Sequence, residues 1–286
     1  MKQVAVIDQR KTTLDDARIA AWLAEDVGPG DITTDAVIGA DRGVAARWIA
    51  KAEGVVAGLA EARAVLAYLD PDLDWQPCVA DGQHVAAGDE LVAFSGAARA
   101  VLTGERLALN IAQRMSGIAT ATRGYVDAIA DFPARILDTR KTVPGLRDLD
   151  KAAVAIGGGT NHRFGLHDLA MIKDNHIAAA GGIAPAVAAV RNQSPEIGVE
   201  VEVTSMAELE SALAADCDFI MLDNMTPEAM QEAVRHTAGR ARLEASGNVS
   251  MATITEIAAT GVDFISIGAL THSVIAFDIS QRVDRL

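Results

Sequence analysis

The second half of this chain carries a rhythm that few folds can satisfy. Short β-type runs at Arg135–Leu137, Leu169–Ile172, Val199–Val203, Phe219–Leu222, Arg242–Ala245 and Phe264–Ile267 alternate with helical spacing. The helical segments are Leu146–Ile156, Ile183–Asn192, Met206–Ala215, Pro227–His236 and Met251–Ala259. Two helix starts carry caps: Thr226 before Pro227-Glu228, and Ser205 with Glu208 as a capping box. Alternation of this kind predicts parallel strands joined by right-handed crossovers. Six such strands with helices outside predict an α/β barrel or partial barrel. A doubly wound dinucleotide fold is less well supported, because no Gly-rich fingerprint follows any strand.

The strands run into Asp138, Lys173, Glu202, Asp223, Ser246 and Gly268, and the last four are 21, 23 and 22 residues apart. In α/β barrels the carboxyl ends of the strands meet on one face and supply the reactive groups. A single polar residue in that position is ordinarily a turn former or a helix cap. Six in register are hard to obtain from turn chemistry alone.

Charge sharpens this reading. The formal net charge is −14, which argues against nucleic acid or an anionic membrane as partner. Yet Arg140, Lys141, His162, Arg163 and Lys173 gather at Gly-rich or Pro-marked junctions beside apolar runs. Cations so placed suggest a site for a polyanionic small molecule, since Arg matches carboxylate and phosphate as a planar fork and Lys acts as a point charge. A solvated helix face is the commoner fate of such residues, and it fits Arg147 and Lys151, which alternate with Asp148 and Asp150. Glu202 and Asp223, ending adjacent strands, suit Mg²⁺ with substrate oxygens or developing positive charge on a sugar. Equally, one of them suits a structural ion pair with Lys173 or Arg140. Ser246-Gly247-Asn248 and Gly268-Ala269 end consecutive strands, where free backbone N–H groups favour phosphate. His162 has no ligand-spaced Cys or His and reads as an anion contact beside Arg163. His84, His167 and His236 read as structural, with His176 and His272 nearer the catalytic-face loops.

The first half predicts a mixed α+β unit. Leu14–Glu25 and Ala60–Tyr68 have helical spacing, Asp26–Thr34 is turn-rich, and Val44–Ala50, Val55–Ala57 and Leu91–Phe94 are β-type. Asp81–Asp89 reads as a hairpin with Gly turns. The boundary falls near the long helical stretch Thr103–Ile129, so residues 1–110 form an N-terminal domain and 111–272 the barrel. The terminal 273–286 is expected to pack back on the first domain. Cys78 and Cys217 read as buried thiols in a reducing compartment. The short apolar run Val4–Ile7 is no signal peptide and no stretch reaches membrane-span length, so a cytoplasmic protein is expected.

Taken together, these motifs resemble the quinolinate phosphoribosyltransferase family over nearly the whole chain. The resemblance rests on Glu25-Asp26-Val-Gly-Pro-Gly-Asp31, Leu102-Thr-Gly-Glu-Arg106 with Asn110, Ser116–Thr120, Asp138–Arg147, Gly157–Arg163 and Ile172–His176. Shorter matches follow at Glu200–Glu202, Leu222–Asn224, Ser246–Asn248 and Gly268–His272. One departure is Ala152-Ala153, where the family often shows an aromatic before Ala. The resemblance implies an N-terminal α/β sandwich, an open-faced α/β barrel, and a homodimer with shared sites. It implies phosphoribosyl transfer from phosphoribosyl pyrophosphate to quinolinate, with decarboxylation. By position, Arg140, His162, Arg163 and Lys173 would bind quinolinate, with Arg106 from the partner subunit. Lys141, Glu202 and Asp223 would handle phosphoribosyl pyrophosphate and Mg²⁺, and Ser246, Gly247, Asn248, Gly268 and Ala269 its phosphate. The rivals are a paralogue of the same fold acting on another aromatic acid, and a non-enzymatic anion-binding module. Quinolinate-dependent release of pyrophosphate discriminates among them.

Overall fold

Residues 14–284 are described by the structure, a computed structural model, and the Val4–Ile7 run lies outside them. The chain divides into two compact units. One contains Thr122–Arg147 and Gly159–Ser273; the other contains the described residues of Gln9–Ala121, Asp148–Gly158 and Val274–Leu286. The division therefore falls inside a helix, some way past the 110/111 boundary expected from sequence.

In the N-terminal unit, α1 (Asp16–Val27) and α2 (Ile32–Val37) precede β1 (Gly43–Ala50), β2 (Gly54–Val55) and α3 (Leu59–Leu69). Then come β3 (Asp74–Pro77), β4 (His84–Val85), β5 (Glu90–Ala97) and the 31-residue α4 (Ala98–Ala128). Strict alternation in β1 turns Val44, Ala46, Trp48 and Ala50 inward, the period-2 signature of a sheet with one buried face. Trp48 is fully buried, edge-on to Trp75 and Phe94 at 5.6 and 6.1 Å, and its indole N–H donates to Gln281. Gln281 belongs to β12 (Ile279–Asp284), which pairs antiparallel with β1 and completes the order β12-β1-β5-β3.

Several local expectations change here. The turn-rich Asp26–Thr34 segment ends in α2, capped by the Asp31 carboxylate, which accepts from the Thr34 amide at 2.9 Å. Asp81–Asp89 forms no hairpin of its own; β4 pairs with β2. Turns at Gly82 and Gly88, both at positive φ, leave too few extended residues between them to pair with each other. Helix α5 (Arg147–Ile156) is not a solvated charge ladder: Asp150 and Lys151 are buried, and Arg114 grips Asp150 with two 2.8 Å hydrogen bonds. Both cysteines are free, but only Cys217 is buried, and burial pushes its thiol up to about 12. Cys78 is exposed just beyond the edge strand β3.

The second unit holds β6 (Arg135–Leu137), β7 (Ala170–Ile172), α6 (Asp174–Ala180), α7 (Ile183–Gln193), β8 (Val199–Val203), α8 (Met206–Ala214) and β9 (Phe219–Asp223). It ends with α9 (Pro227–Thr237), β10 (Arg242–Ser246), α10 (Ile254–Ala258), β11 (Phe264–Ser266) and α11 (Ala269–His272). Its six strands are parallel in the order β6-β11-β10-β9-β8-β7, and the edges β6 and β7 do not pair. The result is the open-faced, incomplete barrel that the strand spacing predicts. Thr226 caps α9 ahead of Pro227. Ser205 caps α8, but the Glu208 carboxylate accepts from Thr204 rather than Ser205, so the capping box closes one residue early.

Register decides what this sheet presents. Met171, Glu200, Glu202, Met221, Asp223, Glu244, Ser246 and Phe264 share one side across β7 to β11. In the alternate set, Val201, Ile220, Leu222, Ala245 and Ile265 are apolar and fully buried. Every acidic side chain in this central set of strands thus points to the side opposite the apolar layer. No helix among the described residues is long and apolar enough to cross a membrane.

Candidate active site

Two cation-bearing loops are fastened together by hydrogen bonds within the chain. Asp138, fully buried just past β6, accepts from the Asn161 amide at 2.6 Å and from the His162 backbone N–H at 2.8 Å. Thr160 bridges Leu137, so residues 160–163 are laid along the open edge of the barrel. Asp168 then accepts from the Phe164 and Gly165 amides. Arg147, expected on a solvated face, instead donates to the Thr142 hydroxyl at 3.0 Å and to the Phe164 and Arg140 carbonyls at 3.1 and 3.4 Å. Sequence reasoning missed this clamp, because two of its three partners are backbone carbonyls that no motif marks.

Held between these fastenings, Arg140 and Arg163 are neighbours. Burial, and then the charge of Arg140, push the Arg163 guanidinium below its ordinary value. One Arg163 N–H donates to the Leu169 carbonyl at 3.2 Å, whereas the buried Arg140 Nε–H has no hydrogen-bond partner among the described residues. An orphan buried donor beside a second guanidinium is costly unless an anion completes it.

His162 faces two carboxylates of the barrel itself. Its Nε2 lies 3.1 Å from Glu200 Oε2 and 3.2 Å from Glu244 Oε2, and all three side chains are less than a tenth exposed. Burial disfavours the charged ring, but hydrogen bonds and charge from Glu200 and Glu244 outweigh it and push His162 up to about 10. The Arg163 amide works the other way. It donates to Nδ1 at 2.6 Å, and a ring protonated at both nitrogens would set two protons against each other. This contact assigns the Nε2–H tautomer, with the proton on the ring edge that faces Glu200 and Glu244, although Glu200 Oε2 accepts no hydrogen bond among the described residues. Burial, followed by the charge of Glu244, raises the Glu200 carboxyl.

The strand ends carry a second cluster. Lys173 ion-pairs with Glu202, and its backbone N–H donates to His176 Nδ1 at 3.0 Å as α6 begins. The pair matches the structural alternative raised for Glu202, and it leaves the site internally neutralised. Asp223 accepts from the Asn224 side-chain amide at 2.9 Å, and Asn224 in turn accepts from Asn248 at 3.1 Å. Asn224 and Asn248 both adopt positive φ just past β9 and β10, a conformation Asn tolerates better than most residues. Gly247 lies between them at φ +96°, where an added Cβ would sit 2.2 Å from Asn224 Oδ1. Gly247→Ala is therefore expected to break the Asp223-Asn224-Asn248 chain and weaken binding of a phosphorylated substrate. Isothermal titration with inorganic pyrophosphate or phosphoribosyl pyrophosphate checks this, and unchanged affinity would contradict it.

At the next strand end, Lys141 runs across Gly268: an added Cβ there would lie 3.0 Å from Lys141 Cδ and 3.1 Å from His272 Cδ2. Thr271 donates to the Lys141 carbonyl at 2.8 Å, and the Lys141 amide donates to Thr139 at 3.0 Å. The structure thus brings Lys141 and Gly268 together, with Ala269 beginning the helix after Gly268, and Asp223 with Ser246, Gly247 and Asn248. Arg106 belongs to the other unit, on α4. Its side chain is 61% exposed, and among the described residues the acid it pairs with, Glu105, is 3.9 Å away.

Family models for quinolinate phosphoribosyl transferase match residues 31–116 (N-terminal domain) and 118–282 (C-terminal domain). The chain belongs to the quinolinate phosphoribosyltransferase family. It is 46% identical over 274 residues to a probable nicotinate-nucleotide pyrophosphorylase [carboxylating] of Synechocystis, covering 94% of this chain and 92% of that one. It is 45% identical over 282 residues to quinolinate phosphoribosyltransferase [decarboxylating] 1b of Nicotiana tabacum, covering 92% and 80%. The crystal structure of NadC from Streptococcus pyogenes superposes with a TM-score of 0.92 at 42% identity, covering 96% of this chain and 99% of that one. Every strand-end residue described above lies within the C-terminal family match, and Arg106 lies within the N-terminal one.

Proposed function

We propose that this protein transfers the phosphoribosyl group of phosphoribosyl pyrophosphate to quinolinate and decarboxylates the adduct. The products are nicotinate mononucleotide, pyrophosphate and CO2. The observation that carries the reading is the Arg140–Arg163 pair, with its orphan buried donor, set on a barrel edge in a strongly acidic chain. A dicarboxylate matches two guanidinium forks. Lys173 adds a third cation, freed when substrate displaces Glu202. Arg106 is read as a contribution from the second subunit of a cytoplasmic homodimer.

In the first step the pyridine nitrogen bonds to the anomeric carbon while the carbon–oxygen bond to pyrophosphate breaks, its electrons leaving with the oxygen. Glu202 and Asp223 stabilise the oxocarbenium-like charge, and Lys141 offsets charge on the leaving group. In the second step the bond from C2 to its carboxylate breaks, the pair stays on C2 beside the pyridinium, and C2 then takes a proton. Tight pairing to the departing carboxylate would stabilise the ground state and slow its loss. The Arg140–Arg163 clamp therefore suits the carboxylate that is retained.

Mg²⁺ fits the oxygen donors of Glu202 and Asp223, which share one side of adjacent strands. Among the described residues, Asp223 accepts a side-chain hydrogen bond from the neighbouring Asn224 amide. When bound, the ion neutralises pyrophosphate charge. Glu202→Gln and Asp223→Asn are each expected to weaken Mg²⁺-dependent use of phosphoribosyl pyrophosphate while sparing quinolinate binding. Titrating each ligand separately checks this; equal loss for both would mark a structural pair instead.

The deciding experiment for the function is release of pyrophosphate on mixing the protein with phosphoribosyl pyrophosphate, with and without quinolinate. Release without quinolinate, or none with it, would overturn the reading.

A further inference from the structure

Glu244 belongs to none of the sequence motifs singled out above, yet it sits 2% exposed in the middle of β10, beside the candidate site. It shares a side of the sheet with Glu200, one strand beyond the intervening β9. The two carboxylates converge on one atom, His162 Nε2, at 3.2 and 3.1 Å. The same ring holds the Arg163 backbone N–H on its Nδ1 at 2.6 Å, and the His162 N–H is held by Asp138. The ring cannot turn about χ2 without giving up either the carboxylates or the Arg163 amide. Side chains on β8 and β10 therefore face one edge of the ring while the Arg163 amide holds the other.

The arrangement is an expensive one. Buried Glu244 Oε1 has no hydrogen-bond partner among the described residues, and buried carboxylates with incomplete partners destabilise a fold relative to apolar residues of similar size. Core packing alone would favour leucine here. A divalent cation is the other chemistry the cluster suggests, since ligand atoms of His162, Glu200 and Glu244 all lie within 4.8 Å of one another. A metal on Nε2, however, moves the ring proton to Nδ1, directly against the Arg163 amide proton at 2.6 Å.

We infer that Glu244 is a positioning residue for dicarboxylate binding: it clasps the His162 ring from β10 and so sets where the Arg163 guanidinium meets its carboxylate. The inference rests on the reading of Arg163 as a substrate cation. It assigns the clasp to the quinolinate half of the site and leaves the phosphate half, on Lys141, Asn248 and Gly268, independent of it.

The test is steady-state kinetics of Glu244→Leu and Glu244→Gln, varying quinolinate and phosphoribosyl pyrophosphate separately. Glu244→Leu is expected to raise the KM for quinolinate about tenfold or more, the scale on which small misplacements of binding groups act. The KM for phosphoribosyl pyrophosphate should stay within about twofold. Glu244→Gln keeps an oxygen that accepts the Nε2–H and should remain close to wild type. Equal rises in both KM values, or a Gln variant as impaired as the Leu variant, overturn the inference. If the wild type itself fails to turn over quinolinate, the functional reading falls first and takes this one with it. A normal wild type with an unaffected Leu variant sinks the positioning role alone. Should Glu244→Leu not fold, nitrogen NMR of histidine-labelled wild type decides. An Nε2–H tautomer for the buried ring supports the clasp; a bare Nε2, or stoichiometric bound metal by mass spectrometry, overturns it.

Discussion

Lys141→Ala is expected to lower kcat by about a hundredfold or more, the usual cost of removing one preorganised charge from a developing anion. Quinolinate affinity and thermal stability should change little. The side chain is exposed, so its removal opens no cavity, while the backbone at 141 stays fixed by the Thr271 hydroxyl on its carbonyl and Thr139 on its amide. What is lost is a single cation laid over Gly268, at the strand end opposite in order from Lys173 and Glu202. A cation in that position meets charge that grows as pyrophosphate departs, so its loss falls on the transition state more than on the ground state. Single-turnover kinetics with saturating substrates measures this directly. Near-normal turnover would remove Lys141 from the chemistry, and a loss confined to KM would make it a uniform binding contact.

The barrel was legible in the sequence because each strand is a short apolar run closed by a polar residue, and each crossover helix carries its own periodicity. β6 and β8 begin and end where the pattern places them. The cations at 140, 141, 163 and 173 were legible for a related reason: charge at a strand-end junction has no helix face to decorate. The rest depends on information that is not local. Glu200 and Glu244 become partners of His162 only through the register of three strands, and register between parallel strands leaves no mark in either sequence. Arg147 and Asp150 looked like alternating surface charges, because a helical wheel does not say which face is covered. Arg147 faces loop carbonyls, and Asp150 faces Arg114 from α4. The edge strand β3 was missed because Asp74, Gln76 and Pro77 dilute its apolar content, and α6 because it is only seven residues long and nowhere fully buried.

Arg106 is expected to act in trans, and subunit mixing tests it with a signal that rises from zero. Arg106 lies on α4 in the N-terminal unit, whereas Arg140, Arg163 and Lys173 belong to the barrel unit. Its side chain is 61% exposed, and among the described residues the acid it pairs with, Glu105, is 3.9 Å away, beyond good hydrogen-bonding distance. A side chain so weakly engaged is available to a neighbour. A two-fold dimer presents the same patch of each subunit to its mate, so a residue that reaches one neighbouring cavity does so in both. Arg106→Ala and Lys173→Ala should each be inactive alone. After subunit exchange, each mixed dimer holds one site with both defects and one site with neither. Random mixing in equal amounts makes half the dimers mixed, so about a quarter of wild-type activity should return. Native mass spectrometry establishes that mixed dimers have formed. A mixture that contains them and stays inactive places Arg106 in its own subunit's site, and a chain that remains monomeric at assay concentration removes the shared site altogether.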